Sequence, residues 1–109
     1  MLDRFEARNF EDEEGNPSGG EVRGTGLYVN WQQGPLGRGE DRQEPDGAFV
    51  ETVIAAAKQR LEFYQTAANG KFACEENRMA IVHLETALGY MNLRTQQREE
   101  RGVEGTHEA

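Results

Sequence analysis

The chain has 109 residues, 36% of them hydrophobic and 29% charged, with a formal net charge of -8 at pH 7. That length suits one domain with a thin core, for which assembly with further copies would bury more surface. The negative field disfavours duplex DNA as a partner, and a single cysteine, Cys74, excludes an intrachain disulfide. No apolar stretch approaches the roughly 20 residues that span a bilayer, so no membrane association is expected. The N-terminus lacks a signal-peptide core, and a reducing, cytoplasmic setting is the expectation.

Residues 1–20 read as an acidic, disordered tail. Glu11, Asp12, Glu13 and Glu14 repel one another, and Gly15-Asn16-Pro17-Ser18-Gly19-Gly20 is a cluster of breakers. Leu2, Phe5 and Phe10 are its apolar positions. Residues 21–109 read as one strand-plus-helical-hairpin domain. Glu21 to Gln32 is a predicted strand, because Leu27, Val29 and Trp31 alternate with Tyr28, Asn30 and Gln32. A lone strand needs a partner, either a short strand nearby or a second copy. Gln33 to Asp46 is a loop punctuated by Gly34, Pro35, Gly37, Gly39 and Pro45, with Asp46 placed to cap a helix.

The first predicted helix covers Ala48 to about Gln65, with Phe49, Val53, Ala56, Leu61 and Tyr64 at helical spacing and Val50 and Ile54 widening the apolar face. Asn69-Gly70 breaks it. The second covers Ala73 to Glu100, with Ile81, Leu84, Leu88, Met91 and Thr95 as a seam. The short connection makes the two helices antiparallel neighbours, and Gly102 stands where a helix is closed. The fold class is therefore α+β: a short N-terminal β-strand region followed by a long antiparallel two-helix hairpin, in an oligomer.

Few residues invite chemistry. Arg94, Arg98 and Arg101 stand at i, i+4 and i+7, one stripe of planar donor forks suited to phosphate. The same residues also complement the dipole of a helix C-terminus. Phe72 and Asn77 flank the start of the second helix, where an aromatic face and an amide would serve a purine; as structure they are a packing staple and a solvated first-turn residue. Gly34-Pro35-Leu36-Gly37-Arg38-Gly39 offers backbone N–H groups to an anion but matches neither the dinucleotide fingerprint nor the P-loop. Trp31 is core, interface anchor or stacking platform. His83 and His107 have no metal-ligand spacing to other residues, and His83 reads as structural. Ser18 is the only serine, no nucleophile–base arrangement occurs, and the carboxylates are scattered. A binding protein without catalytic residues, metal or cofactor is expected.

The segments Gly34-Pro35-Leu36, Asp46-Gly47-Ala48 and Arg60-Leu61-Glu62-Phe63-Tyr64-Gln65 resemble small phage proteins of the Thoeris anti-defence family. More specific are Cys74-Glu75-Glu76-Asn77, His83-Leu84-Glu85-Thr86-Ala87-Leu88, Asn92-Leu93-Arg94-Thr95 and the stretch Arg98 to His107. These are similar to the helical hairpin that family shares with phage sponges against CBASS defence. The resemblance covers Val22 to His107.

It implies a sponge that sequesters a cyclic ADP-ribose messenger intact, in the cytoplasm of the infected bacterium, from pockets at a subunit interface of a homo-oligomer (dimer or hexamer). Cyclic di- or trinucleotides are the alternative ligands it implies, and a plain oligomeric interaction protein is the reading that stands without it. Carried over, the ligand-binding asparagine falls on Asn77 and the paired arginines on Arg94 and Arg98. The adenine-stacking aromatic falls on Phe72, with Phe63 or Tyr64 as alternatives. Arg101, Trp31, Gln32 and Gly34 complete the implied set.

Overall fold

The computed structural model describes residues 4–109, which leaves Leu2 and the start of the expected tail outside the described residues. In chain order come strands β1 (Phe5–Glu11), β2 (Pro17–Gly24) and β3 (Leu27–Trp31), a single 3-10 turn at Gly39–Asp41, and helices α1 (Val50–Gly70) and α2 (Glu75–Glu100). This is the α+β order of strands followed by a helical hairpin. Two compact units result, one of residues up to Phe49 together with Arg98–Ala109, the other of Val50–Gln97.

In the first unit the strands form an antiparallel sheet in the order β1-β2-β3. Residues 5–20, expected as a disordered acidic tail, supply β1 and half of β2, and the predicted single strand from Glu21 to Gln32 is a hairpin turning at Thr25-Gly26. Two physical causes replace disorder. Register sets Glu6 opposite Arg23 and Arg8 opposite Glu21, so opposite signs rather than like ones stand across the sheet, while Arg23 forms an ion pair with Glu21 of its own strand at 3.1 Å. The acidic run forms the β1–β2 turn, where the Asp12 carboxylate accepts the N–H groups of Glu14 and Asn16, both at 2.9 Å. Those bonds hold the Asp12 carboxyl below the usual carboxylate range, the Asn16 N–H contributing most.

Directly paired residues share a face. One face carries Phe5, Ala7, Val22, Leu27, Val29 and Trp31; the other carries Glu6, Arg8, Glu21, Arg23, Tyr28 and Asn30. Gly20 is the one fully buried residue described. It sits with φ +150°, and a Cβ there would strike the Arg8 carbonyl oxygen.

The C-terminal end of β3 is bridged on its outer side by chain from beyond the loop. Ala48 N–H donates to Asn30 O at 2.7 Å, and Gln32 N–H donates to Ala48 O at 2.9 Å. Only glycine fits at position 47, because a Cβ would lie against the Trp31 carbonyl. Asp46 was expected to cap α1. Instead its Oδ1 accepts the Gln33 N–H at 2.9 Å, while its own N–H donates to Gln32 Oε1 at 2.8 Å. Its carboxylate thus closes the loop, and the helix starts later, at Val50.

The second unit is the hairpin. Gln65 brackets the backbone of Cys74, its Nε2 donating to the carbonyl at 3.1 Å and its Oε1 accepting the N–H at 3.0 Å. Further along, Lys58 Nζ reaches Glu85 at 3.7 Å. Residues descending on α1 thus meet residues ascending on α2, so the helices are antiparallel. The half-buried positions Ile54, Lys58, Leu61 and Gln65 on α1, and Asn77, Ile81, Leu84, Leu88 and Met91 on α2, recur every three or four residues.

Regular helix geometry in α1 ends before Ala67, past the expected Gln65. Ala68 (φ 52°) and Asn69 (φ 57°) are left-handed and Gly70 follows at φ 83°. Asn69 and Gly70 accept that geometry readily; Ala68 does so at a steric cost.

No hydrophobic side chain among the described residues is fully buried. On α2, Met79, Val82, Tyr90 and Leu93 are exposed. They stand at i, i+3, i+11 and i+14, on the side of the helix away from the seam. α2 therefore has two apolar stripes.

Candidate functional site

The turn end of the hairpin presents Phe72 and Asn77. Phe72 follows the left-handed break and is 59% exposed, with the Lys71 ammonium 5.3 Å from its ring centroid. The ring is thus largely solvent-exposed with a cation near it. Asn77 lies half-buried in the first turn of α2, in line with the seam. Beside it Arg78 and Glu75 form an ion pair that lowers the Glu75 carboxyl pKa, chiefly through the hydrogen bond from Arg78. The alternative aromatics are also exposed and share one cation: the Arg60 guanidinium lies 5.0 Å from the Phe63 centroid and 4.9 Å from that of Tyr64, and Arg60 Nε donates to Tyr64 Oη at 3.1 Å.

Arg94 is on α2 in the hairpin unit, 17 positions beyond Asn77 and hence about 25 Å along the axis at ~1.5 Å per residue. It is exposed. No carboxylate of the described residues reaches it.

The other two arginines do different work. Arg98 donates to three carbonyls of the tail: Glu108 O at 2.7 Å, Val103 O at 3.0 Å and Thr106 O at 3.1 Å. Its own carbonyl accepts the Val103 N–H at 3.0 Å, after the chain turns at Gly102 (φ 72°). Arg101 lies past the end of α2, off the expected stripe, and donates to Ala109 O at 2.6 Å. The stripe of three is thus one open arginine and two that hold the C-terminal segment.

Trp31, Gln32 and Gly34 sit at the β3 exit. Trp31 is half-buried and bridged to Ala48. Both ends of the Gln32 amide are used, the oxygen by Asp46 N–H and the nitrogen in donating to Gly34 O at 3.3 Å. The glycine-rich loop beyond is stapled to the tail: Gly37 N–H donates to Gly105 O at 3.0 Å, Arg38 donates to Gly102 O, and Arg42 forms a two-pronged pair with Glu104 at 2.8 and 3.3 Å. The Glu104 partner raises the Arg42 pKa. Arg38 and Arg42 carried no signal in the sequence, since their partners lie more than 60 positions away.

His83, expected to be structural, is exposed on α2. Among the described residues no three His, Cys, Asp or Glu side chains group as metal ligands. No described helix is long and apolar enough to cross a membrane. What the hairpin offers chemically is an exposed aromatic ring with an amide at one end and, near the other, a guanidinium that no carboxylate of the described residues reaches.

Comparison with known proteins places this hairpin. Thoeris anti-defense 1 of Bacillus phage SBSphiJ7 is similar, with 46% identity over 80 residues, 73% of this chain and 51% of the relative. The chain therefore spans about half the length of that curated relative. The family model described as Acb2/Tad1, hairpin domain, matches residues 26–96, which take in β3, the loop and nearly all of the helical hairpin. The chain belongs to the Acb2/Tad1 hairpin-domain family.

Proposed function

We propose that this is a phage anti-defence protein that sequesters a cyclic ADP-ribose messenger of Thoeris immunity in the infected cell without degrading it. The name of the Bacillus phage relative supports the anti-defence role. The observation that carries the binding reading is the distribution of uncommitted recognition groups. Phe72 and Asn77 are available at one end of α2, and Arg94 is unpaired about 25 Å away.

One small ligand cannot touch both ends of one helix. It can touch both when two copies lie antiparallel, so that the Phe72–Asn77 end of one hairpin faces Arg94 of its partner. Phe72 then stacks on the adenine, Asn77 bonds its edge and Arg94 meets the pyrophosphate. The absence of a fully buried hydrophobic side chain among the described residues and the second apolar stripe of α2 support such an assembly. In this reading Arg98 is not a ligand contact but the residue that secures the tail beyond α2.

Sequestration needs affinity and no turnover, and nothing in the Phe72, Asn77 and Arg94 set is a nucleophile or a base. Calorimetric titration of the full chain with a cyclic ADP-ribose messenger tests the proposal, followed by heat release and chromatography. Nanomolar binding with unchanged ligand recovered is expected. An altered product would make the protein an enzyme. No heat with this ligand but binding of cyclic di- or trinucleotides would move the reading to the CBASS messengers.

A further inference from the structure

β1 and β2 lie N-terminal to the residues matched by the hairpin family, and β1 is an edge strand of the sheet. β3 is bridged on its outer side at Trp31 by the Ala48 hydrogen bonds, whereas no backbone group of β1 is bonded on its outer side by the described residues. An open edge attracts another strand unless its side chains forbid it. In β1 they specify one.

We propose that β1 pairs antiparallel with β1 of a second copy, about a two-fold axis through Ala7, joining two sheets into one of six strands. The regular part of β1 runs from Phe5 to Asn9, and the register shifts between Asn9 and Glu11. Ala7 is the centre of that regular part. Directly opposite residues share a face, so only a two-fold axis through a residue keeps the apolar faces together.

Charge and overlap then choose among the axes: through Phe5, Glu6 would oppose Arg4, but the regular parts of the two strands would overlap at Phe5 alone. Through Arg8, two arginines would oppose; through Glu6, two glutamates. Through Asn9, Arg8 would oppose Phe10. Through Ala7, Glu6 opposes Arg8 of the second copy, twice. With the register already set within each chain, the polar face becomes a row of alternating sign: Arg23 and Glu6 of one copy, then Arg8 and Glu21 of the other. On the apolar face, Val29, Val22 and Ala7 meet their own equivalents. An edge of uniform sign would repel a copy of itself; this one is self-complementary.

The test is site-directed crosslinking in the full chain, with the exposed Cys74 replaced by serine. Ala7→Cys is expected to give a disulfide-linked dimer under mild oxidation, at least tenfold more than Asn9→Cys or Phe5→Cys alone. A mixture of the Phe5→Cys and Asn9→Cys chains is expected to crosslink to each other. Glu6→Arg and Arg8→Glu, each added to Ala7→Cys, are expected to lower the yield about tenfold, and mixing those two chains to restore it. Equal yields at positions 7 and 9, or no restoration on mixing, would overturn the pairing. Because Ala7 is an exposed strand position, the Ala7→Cys result does not depend on a disruptive substitution. Ligand binding is not involved, so this outcome and that of the sponge proposal are read separately.

Discussion

Arg98→Ala separates a structural arginine from a ligand-binding one. In the folded protein the guanidinium donates to three carbonyls at 2.7, 3.0 and 3.1 Å, and the side chain is half-buried. Hydrogen bonds to a charged group contribute about 1.5–3 kcal/mol each when sheltered, and much less when water competes. Three such bonds, two of them part-buried, put the loss at about 2–3 kcal/mol for the unit that includes the tail. The tail carbonyls also regain water, which keeps the figure from reaching the simple sum. The assay is urea unfolding of the full chain together with amide hydrogen exchange across residues 102–109. Exchange at Val103 and Thr106, whose N–H groups are bonded within the turn, should accelerate with the stability loss. Arg98→Lys should recover less than half, because an ammonium cannot match the guanidinium fork. A stability change under about 0.5 kcal/mol with unchanged exchange would refute the structural assignment.

Four further outcomes follow from the same geometry. Gly20→Ala forces a Cβ onto the Arg8 carbonyl at φ +150° and should destabilise the sheet by about 1–3 kcal/mol, measured by chemical unfolding. Ala68→Gly relieves a left-handed alanine at the hairpin break, and the steric gain less the added chain entropy should raise stability by about 0.5 kcal/mol. Arg94→Ala should leave the unfolding midpoint unchanged, since no described carboxylate pairs with it, while weakening ligand binding by about 2–5 kcal/mol. Asp12 has a lowered folded-state pKa, so its contribution is present above the ordinary aspartate value near 4 and is lost as pH falls through the folded value; Asp12→Asn should flatten that acid-side loss in unfolding midpoints taken between neutral pH and pH 3.

The helices were legible because their determinants are local. Ile81, Leu84, Leu88 and Met91 announce a seam by spacing alone, and Asn69-Gly70 marks the break that the left-handed backbone then makes. The alternation of Leu27, Val29 and Trp31 likewise marked β3. β1 and the start of β2 were not legible, because the reasons for them are not local. Glu6 and Arg8 stand opposite Arg23 and Glu21 only once the strands are in register, 17 and 13 positions apart in the chain.

The candidate site shows the same division. Spacing put Arg94 and Arg98 one helical turn apart, but only the folded tail shows Arg98 committed to its carbonyls and Arg101 to Ala109. The exposure of Phe72, at 59%, follows from the left-handed break before it and was not legible in its spacing. Asp46 looked like a helix cap by composition, yet it closes the loop through Gln32 and Gln33.

The central claim is that one ligand takes Asn77 from one copy and Arg94 from another. Mixing Asn77→Ala chains with Arg94→Ala chains tests it directly by calorimetric titration with a cyclic ADP-ribose messenger. Each variant alone should bind at least roughly 30-fold more weakly than the parent. After unfolding and refolding together in equal amounts, half the pairs are mixed, and each mixed pair holds one intact site and one doubly broken site. About a quarter of all sites should then bind with parental affinity. Recovery of that high-affinity fraction is the predicted result. A mixture that binds no better than either variant alone would contradict the two-chain pocket.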